Sequence, residues 1–438
     1  MEISLIGFAA LMVLIFARIP LGVSMGLIGV LGFAYVQQVE FDNSRGWDAA
    51  LNMVSQVAFE TGLSYSLSVV PLFILMGNFI TEAGLSAQLY RASHAFLGHF
   101  RGGLALATVV SCGGFSAVCG SSMATAATMS KVAMPSMRKY NYSDDLASGA
   151  IAAGGTLGIL IPPSVILVIY GIMTETDIGK LFIAGLLPGF LGIVLYMAAV
   201  SVTVKLKPES GPAVEKAGWA ERLSAFRHVW GICFLFVVVM GGIYSGIFTP
   251  TEAAGIGASG AFFMALLRRR LTFNILVNVL VSSVRTTAML FFLVIGAVLF
   301  SNFINLAGLP DALRDMVLGL NLSPVLVIVA IIAIYILLGC VLESMSMILL
   351  TVPVFYPLVQ AMGFDLVWFG ILVVVVTEIS LITPPVGLNV FVLKTVLPDV
   401  KLGTIFKGVT PFWMADIVRL VLIATVPALS LYLPGLVG

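Results

Sequence analysis

Charge is what this chain of 438 residues has least of, since Asp, Glu, Lys and Arg together make up 10%. A soluble domain carries roughly a quarter, so a water-exposed globule is excluded. The formal net charge is +1, and the balance gives no sign of a nucleic-acid partner. Histidine occurs three times, at His94, His99 and His228, always beside basic residues and never in metal-ligand spacing. Cys112, Cys119, Cys233 and Cys340 lie in apolar stretches without paired spacing. They read as small buried residues, with no disulfide or metal expected. HExxH and GxxxxGK are both absent, which excludes a zinc protease of that type and a chain that energises itself with ATP. Gly257-Ala258-Ser259-Gly260 fits a serine nucleophile pattern of intramembrane proteases, but no histidine base follows His228. The chain does not read as an enzyme.

What is present is apolar length. Hydrophobic residues make up 60%, the mean hydropathy is +1.11, and many nearly uncharged windows exceed about 18 residues, enough to cross a bilayer. Met1–Ala17 is apolar but lacks a basic start and a small-residue cleavage site, so it reads as a retained helix. The class is an all-α polytopic membrane protein.

Two of the long runs carry a double proline deep inside: Gly154-Gly155-Thr156-Leu157-Gly158-Ile159-Leu160-Ile161-Pro162-Pro163-Ser164 and Thr377-Glu378-Ile379-Ser380-Leu381-Ile382-Thr383-Pro384-Pro385-Val386-Gly387. Proline removes a backbone donor and frees a carbonyl one turn earlier. Lipid cannot satisfy such groups, so the broken helix must line a cavity or be buried in protein. Pro384 lies 222 residues after Pro162, and the same offset carries Ser122 onto Ser344, Met123 onto Met345 and Pro135 onto Pro357. Asn78–Leu85 matches Asn302–Leu309 at an offset of 224. The order and spacing read as an internal duplication. Repeat one spans 1–205, with a hairpin at about 102–137 and a broken helix at about 146–172. A linker covers 206–227. Repeat two spans 228–438, with a hairpin at about 323–362 and a broken helix at about 366–394.

Lys and Arg favour the cytoplasmic side. Basic residues at Arg91–Arg101 and at Arg138 with Lys139 flank the first hairpin, which reads as re-entrant from inside with its tip near Gly120-Ser121-Ser122. Asp311, Arg314, Asp315 and Asp365 flank the second, which reads as entering from outside with its tip near Glu343-Ser344. Lys205, Lys207, Arg268, Lys394 and Lys407 fall inside, and Asp48, Glu60, Glu175 and Glu252 fall outside. Both termini then come out on the outer, periplasmic side, and opposite hairpins make the duplication an inverted repeat. Asp48–Leu67 and Thr272–Thr287 read as interfacial amphipathic arms.

At the first tip, small residues permit close backbone approach and hydroxyls supply oxygens at membrane depth. Ser121 and Ser122 face the carbonyls freed at Gly158 and Ile161, and such neutral oxygens suit Na⁺. The half-helix after each break presents a positive dipole end, which favours an anionic substrate group. Isolated serines at such a place usually only pack helices; adjacency to a duplicated break turns the reading toward binding. Glu343 and Glu378 are the carboxylates placed at membrane depth. Each is a functional candidate, set against the plainer reading of a helix cap or a paired charge.

Gly158-Ile-Leu-Ile-Pro-Pro-Ser164 and Ile382-Thr-Pro-Pro-Val-Gly-Leu-Asn389, in this order and at this spacing, resemble the large membrane subunit of TRAP (tripartite ATP-independent periplasmic) transporters, the DctM-like family. The resemblance covers essentially the whole chain. It implies Na⁺-coupled uptake of an organic acid by an elevator mechanism, in which a scaffold holds a mobile transport domain carrying both hairpins and both broken helices. It also implies a separate small four-helix membrane subunit, a periplasmic solute-binding protein, and the bacterial inner membrane as location. Carried over by residue, one Na⁺ site comprises Ser121, Ser122, Gly158, Ile161 and Pro163. A second comprises Gly339, Glu343, Thr383 and Pro385. Thr125, Ser164, Ser344 and Asn389 are the candidate substrate contacts. A one-component Na⁺- or H⁺-coupled carboxylate carrier of the same broad superfamily is the alternative.

Overall fold

At membrane depth the backbone must bond to itself, and among the described residues every regular element is helical. The computed structural model describes residues 2–320 and 322–437. Helices α1 (Glu2–Phe16), α2 (Leu21–Val39), α3 (Gly46–Leu63), α4 (Val69–Glu82) and α5 (Leu85–Leu97) open the chain. A helical pair follows, α6 (Gly103–Cys119) and α7 (Ser122–Lys139), and then a helix interrupted at its double proline, α8 (Asp144–Thr156) and α9 (Val165–Thr174). Next come α10 (Ile178–Leu206), α11 (Trp219–Tyr244), α12 (Pro250–Leu267), α13 (Phe273–Leu306) and α14 (Leu309–Gly319). The pattern then recurs as the pair α15 (Pro324–Gly339) and α16 (Ser344–Ala361) and the interrupted helix α17 (Leu366–Ser380) and α18 (Leu388–Val396). Helix α19 (Leu402–Thr425) and the short α20 (Ala428–Leu431) and α21 (Pro434–Val437) end the chain. Six helices among the described residues are long and apolar enough to cross a bilayer. A seventh span results if α3 and the run Ser66–Glu82, bent by 56°, count as one.

The helices fall into two packed groups. In one, α2 lies along α13 and α12 along α4. Small residues let the first pair approach closely, since a Cβ on Gly29 would come within 2.6 Å of the Leu299 backbone. In the other, α6 to α10 and α15 to α19 enclose the two breaks, with Gly149 of α8 directly against Gly408 of α19. Helix α5 packs on α6 and α11, and α14 packs on α16 and α13, so each bridges the groups.

Helix α19 acts as a ruler for direction. Near its start, Lys407 lies 3.7 Å from Asp145, at the beginning of α8. Near its end, the Ile423 carbonyl accepts a hydrogen bond from Trp368 Nε1 (2.9 Å), at the beginning of α17. The two interrupted helices therefore start at opposite ends of α19, about 24 Å apart at 1.5 Å per residue. Their first residues, Asp144 and Leu366, are 222 positions apart, as are Ser122 and Ser344, the first residues of α7 and α16.

The loops rich in Lys and Arg gather on one face. Gly102 N–H donates to the Gly211 carbonyl (2.8 Å) and Ser143 N–H to that of Ser210 (3.0 Å). Arg138 Nη2 reaches Asp399 at 2.5 Å while its Nε reaches Asp144 at 3.0 Å. The Arg138 guanidinium holds the exposed Asp399 carboxyl below its ordinary value. That contribution is present above the unfolded-state value and lost as pH falls through the lowered one.

Several local expectations are refined. The segment 206–227 is partly helical, because α11 begins at Trp219. The stretch Thr272–Thr287 is the first part of the unbroken 34-residue α13, whereas α3 is bent away from α4. Of the cysteines, Cys112 is buried, Cys233 is exposed, and Cys119 and Cys340 are half-buried. The expectation of four buried cysteines therefore fails for Cys233, which sits on the outer side of α11.

Candidate ion and substrate site

The first pair of helices turns at Gly120, whose φ of +62° suits a residue without a Cβ. Ser121 then caps α7, accepting from Ala124 N–H at 3.4 Å. The turn rests on the first break. A Cβ on Gly158 would stand 3.2 Å from the Ser121 carbonyl and 3.3 Å from Ser122 N, so only glycine permits this approach without displacement. The Pro163 carbonyl lies near Gly120, 3.5 Å from where a Cβ there would be. Ser121, Ser122, Gly158 and Pro163 are thus brought together. Ile161 joins them only through its position in the break, because its side chain packs against Gly113 and Gly189.

The second pair turns at 340–343 and meets the second break less intimately. A Cβ on Gly339 would collide with Ser380 at the end of α17, and Cys340 Sγ points at the Pro384 carbonyl at 3.9 Å. Glu343 is the N-cap of α16, accepting from Ser346 N–H and Oγ, each at 3.4 Å. Thr383 Oγ1 donates to the Ile379 carbonyl (2.6 Å) and accepts from Trp413 Nε1 (2.9 Å). Pro162 and Pro163 are buried, while Pro384 and Pro385 are exposed. The two breaks are therefore alike in sequence and unlike in surroundings.

Both turns open on one cavity of about 570 Å³. Ser121 and Ser122 line it from one side, and Glu343 and Ser344 from the other. Val165, at the start of α9, also lines it, while Leu21, Met289 and Leu293 close it from α2 and α13. The starts of α7, α9 and α16 thus converge on the same space, each bringing unpaired N–H groups and a positive dipole end. Glu343 is the one charged residue among its lining residues.

The candidate substrate contacts divide. Ser344 lines the cavity. Thr125, on α7, is fully buried and not among the cavity's lining residues, with no partner for its hydroxyl. Ser164 is committed to the break, capping α9 through Leu167 N–H (3.3 Å) and donating to the Ile159 carbonyl (2.5 Å). Asn389, opening α18, donates to the Ala152 carbonyl of α8 (3.2 Å) and leaves its own oxygen without a partner. It therefore joins the second broken helix to the first.

Glu378 is paired, as the plainer reading held. It meets the Arg419 guanidinium, which also lies 2.8 Å from Asp416, and all three are fully buried. Arg419 and Asp416 went unnoticed in the sequence. The signal was two ionisable residues three apart inside the long apolar helix Leu402–Thr425.

The family model described as the DctM component of the tripartite ATP-independent periplasmic transporter matches residues 8–429. The chain belongs to that family. It is 38% identical over 382 residues to the C4-dicarboxylate TRAP transporter large permease protein DctM of Pseudomonas aeruginosa, covering 87% of this chain and 88% of that one. It is 32% identical to the sialic acid TRAP transporter large permease protein SiaM of Vibrio cholerae, covering 97% and 96%. Among solved structures the YdaH transporter of Alcanivorax borkumensis shares its fold, with a TM-score of 0.65 at 15% identity over 87% of this chain and 89% of that one. The DctM-family chain is accordingly a multi-pass membrane permease component.

Proposed function

We propose that this permease carries an organic carboxylate inward with Na⁺, receiving it from a periplasmic binding protein and working with a small membrane subunit. The cavity shared by both hairpin turns carries the reading. Three helix N-termini aimed into one space favour an anionic group without any lining Lys or Arg. Carbonyls and hydroxyls around Ser121, Gly158 and Pro163 suit a weakly held monovalent cation, while the Glu343 carboxylate on the opposite side caps α16. Relatives similar over most of their length are named for C4-dicarboxylate and sialic acid, both carboxylates. The equal offsets of α7 with α16 and α8 with α17, and the opposite starts of α8 and α17 along α19, support an inverted repeat. One repeat would then gate each side of an elevator.

The test is uptake in proteoliposomes holding the permease, small subunit and binding protein, with and without an inward Na⁺ gradient. Uptake that ignores Na⁺ would reject the coupling; uptake without the other two proteins would favour a one-component carrier. Within the same assay, Ser121→Ala should raise the Na⁺ concentration for half-maximal uptake about tenfold, matching the roughly 1–2 kcal/mol lost with one neutral ligand. The serine also caps α7, so thermal melting of the variant separates the two effects. An unchanged Na⁺ requirement would leave Ser121 as a cap alone.

Orientation has its own test. The face joining Arg138, Lys407 and Ser210 should be cytoplasmic, and Asp48 and Glu175 should lie outside with both termini. Single cysteines at Lys207 and Glu175 in a background without native cysteines should differ toward an impermeant thiol reagent on intact cells. Labelling at 207 from outside would invert the map.

A further inference from the structure

We infer that α19, through a buried chain of polar contacts, ties the two helix breaks into one unit, with Tyr196 and Thr156 as positioning residues. The chain begins at Thr156, the last residue of α8 before the first break. The Thr156 hydroxyl, whose proton is shared with the Ala153 carbonyl at 2.8 Å, lies 3.0 Å from the Tyr196 oxygen, and Tyr196 O–H donates to Asp416 Oδ2 at 2.6 Å. Asp416 neighbours Arg419 on α19, and Arg419 pairs with Glu378, two residues before the end of α17 and the second break. All five residues are fully buried.

Two observations mark this as more than packing. Thr156 and Glu378 stand 222 positions apart, the offset that relates the two breaks, so the chain ends on equivalent positions. Helix α19 also touches the second break directly through Trp413, which donates to Thr383 and lies on the same face as Asp416 and Arg419 at three-residue spacing. The Arg419 guanidinium occupies the space beside Gly192 of α10, next to Leu157 of the first break.

A polar chain in a low-dielectric interior is costly to leave half-made. Shifting one break relative to α19 would separate buried partners, so ordering one break orders the other. An ion bound at the first break would thereby lower the cost of ordering the second, a coupling that is reciprocal between the sites. This ion readout rests on the sodium reading above; the mechanical link does not.

The experiment therefore uses two readouts on the full permease in lipid. Thr156→Val removes the first hydroxyl at nearly constant volume and leaves the charged residues untouched. Tyr196→Phe removes the second and keeps the ring on Phe412 and under Arg419. Hydrogen exchange should quicken at the far break, residues 381–389, on the order of threefold in Thr156→Val, as expected for loss of one net hydrogen bond. Wild-type uptake should rise cooperatively with Na⁺, and in both variants the Hill coefficient should fall toward one with maximal uptake kept. Combining the two substitutions should add little to either. Faster exchange confined to residues 157–166, with an unchanged Hill coefficient, would overturn the link and make the contacts local packing. Wild-type uptake independent of Na⁺ would reject the sodium reading, and the exchange at 381–389 would still decide the link.

Discussion

Oxidising a cysteine pair placed at Gly179 and Ile243 should abolish uptake, and reducing it should restore uptake. Gly179 lies at the start of α10, in the group that encloses both breaks, and Ile243 lies near the end of α11, which packs on α12 of the other group. A Cβ on Gly179 would stand 3.4 Å from Ile243 Cγ2, which puts the two positions within reach of a disulfide, whose Cβ atoms lie roughly 3.5–4.5 Å apart. Replacement of Cys112, Cys119, Cys233 and Cys340 comes first, and the reduced variant must transport. An elevator needs the group holding the breaks to move as one body past the other, and a covalent link across the seam stops that movement. The breaks and turns themselves remain intact, so Na⁺ and solute should still bind to the linked protein. Full transport with the link verifiably closed would instead assign gating to local movement at Ser121 and Glu343.

What could be read from the sequence follows from how local its signals are. Double prolines at 162–163 and 384–385 interrupt helices wherever they occur, and the interruptions between α8 and α9 and between α17 and α18 lie there. Glycine at 120 and serine at 121 end one helix and cap the next using their own backbone and hydroxyl. Partners far apart in sequence were another matter. Nothing near Glu378 announces that Arg419 neutralises it, and nothing near Thr156 announces Tyr196 or Asp416. The unlike burial of the two proline pairs was equally hidden, because matching motifs carry no information about what packs over them. Glu343 was a carboxylate at the right place for a ligand, yet its side chain is turned back as a cap on α16. Arms of similar composition, at Asp48–Leu67 and Thr272–Thr287, differ because Ser64 leaves the helical region after α3 whereas no such residue interrupts α13.

Arg419→Met should be among the most destabilising single substitutions in this chain. The guanidinium is fully buried with Glu378 and Asp416, which are also fully buried. Two carboxylates and one guanidinium already leave the cluster one negative charge in excess if all are ionised. Removing the cation leaves two carboxylates facing each other without a counter-charge, at a cost of about 3–5 kcal/mol. A loss of that size is a large fraction of a typical folding free energy, so the folded yield in detergent and the melting temperature should both collapse. Glu378→Gln alone should be much milder, because it leaves Arg419 opposite Asp416 in a neutral pair. Adding Glu378→Gln and Asp416→Asn to Arg419→Met should recover most of the folded protein by removing every buried charge. Charge balance therefore predicts an order: the methionine variant worst, the triple variant intermediate, the glutamine variant nearest to wild type. Volume predicts a different one, in which the three substitutions together exceed any one of them. Melting curves of the three variants in the same detergent separate the two, and a triple variant less stable than Arg419→Met would mean that hydrogen bonding and fit, with charge secondary, hold α17 against α19.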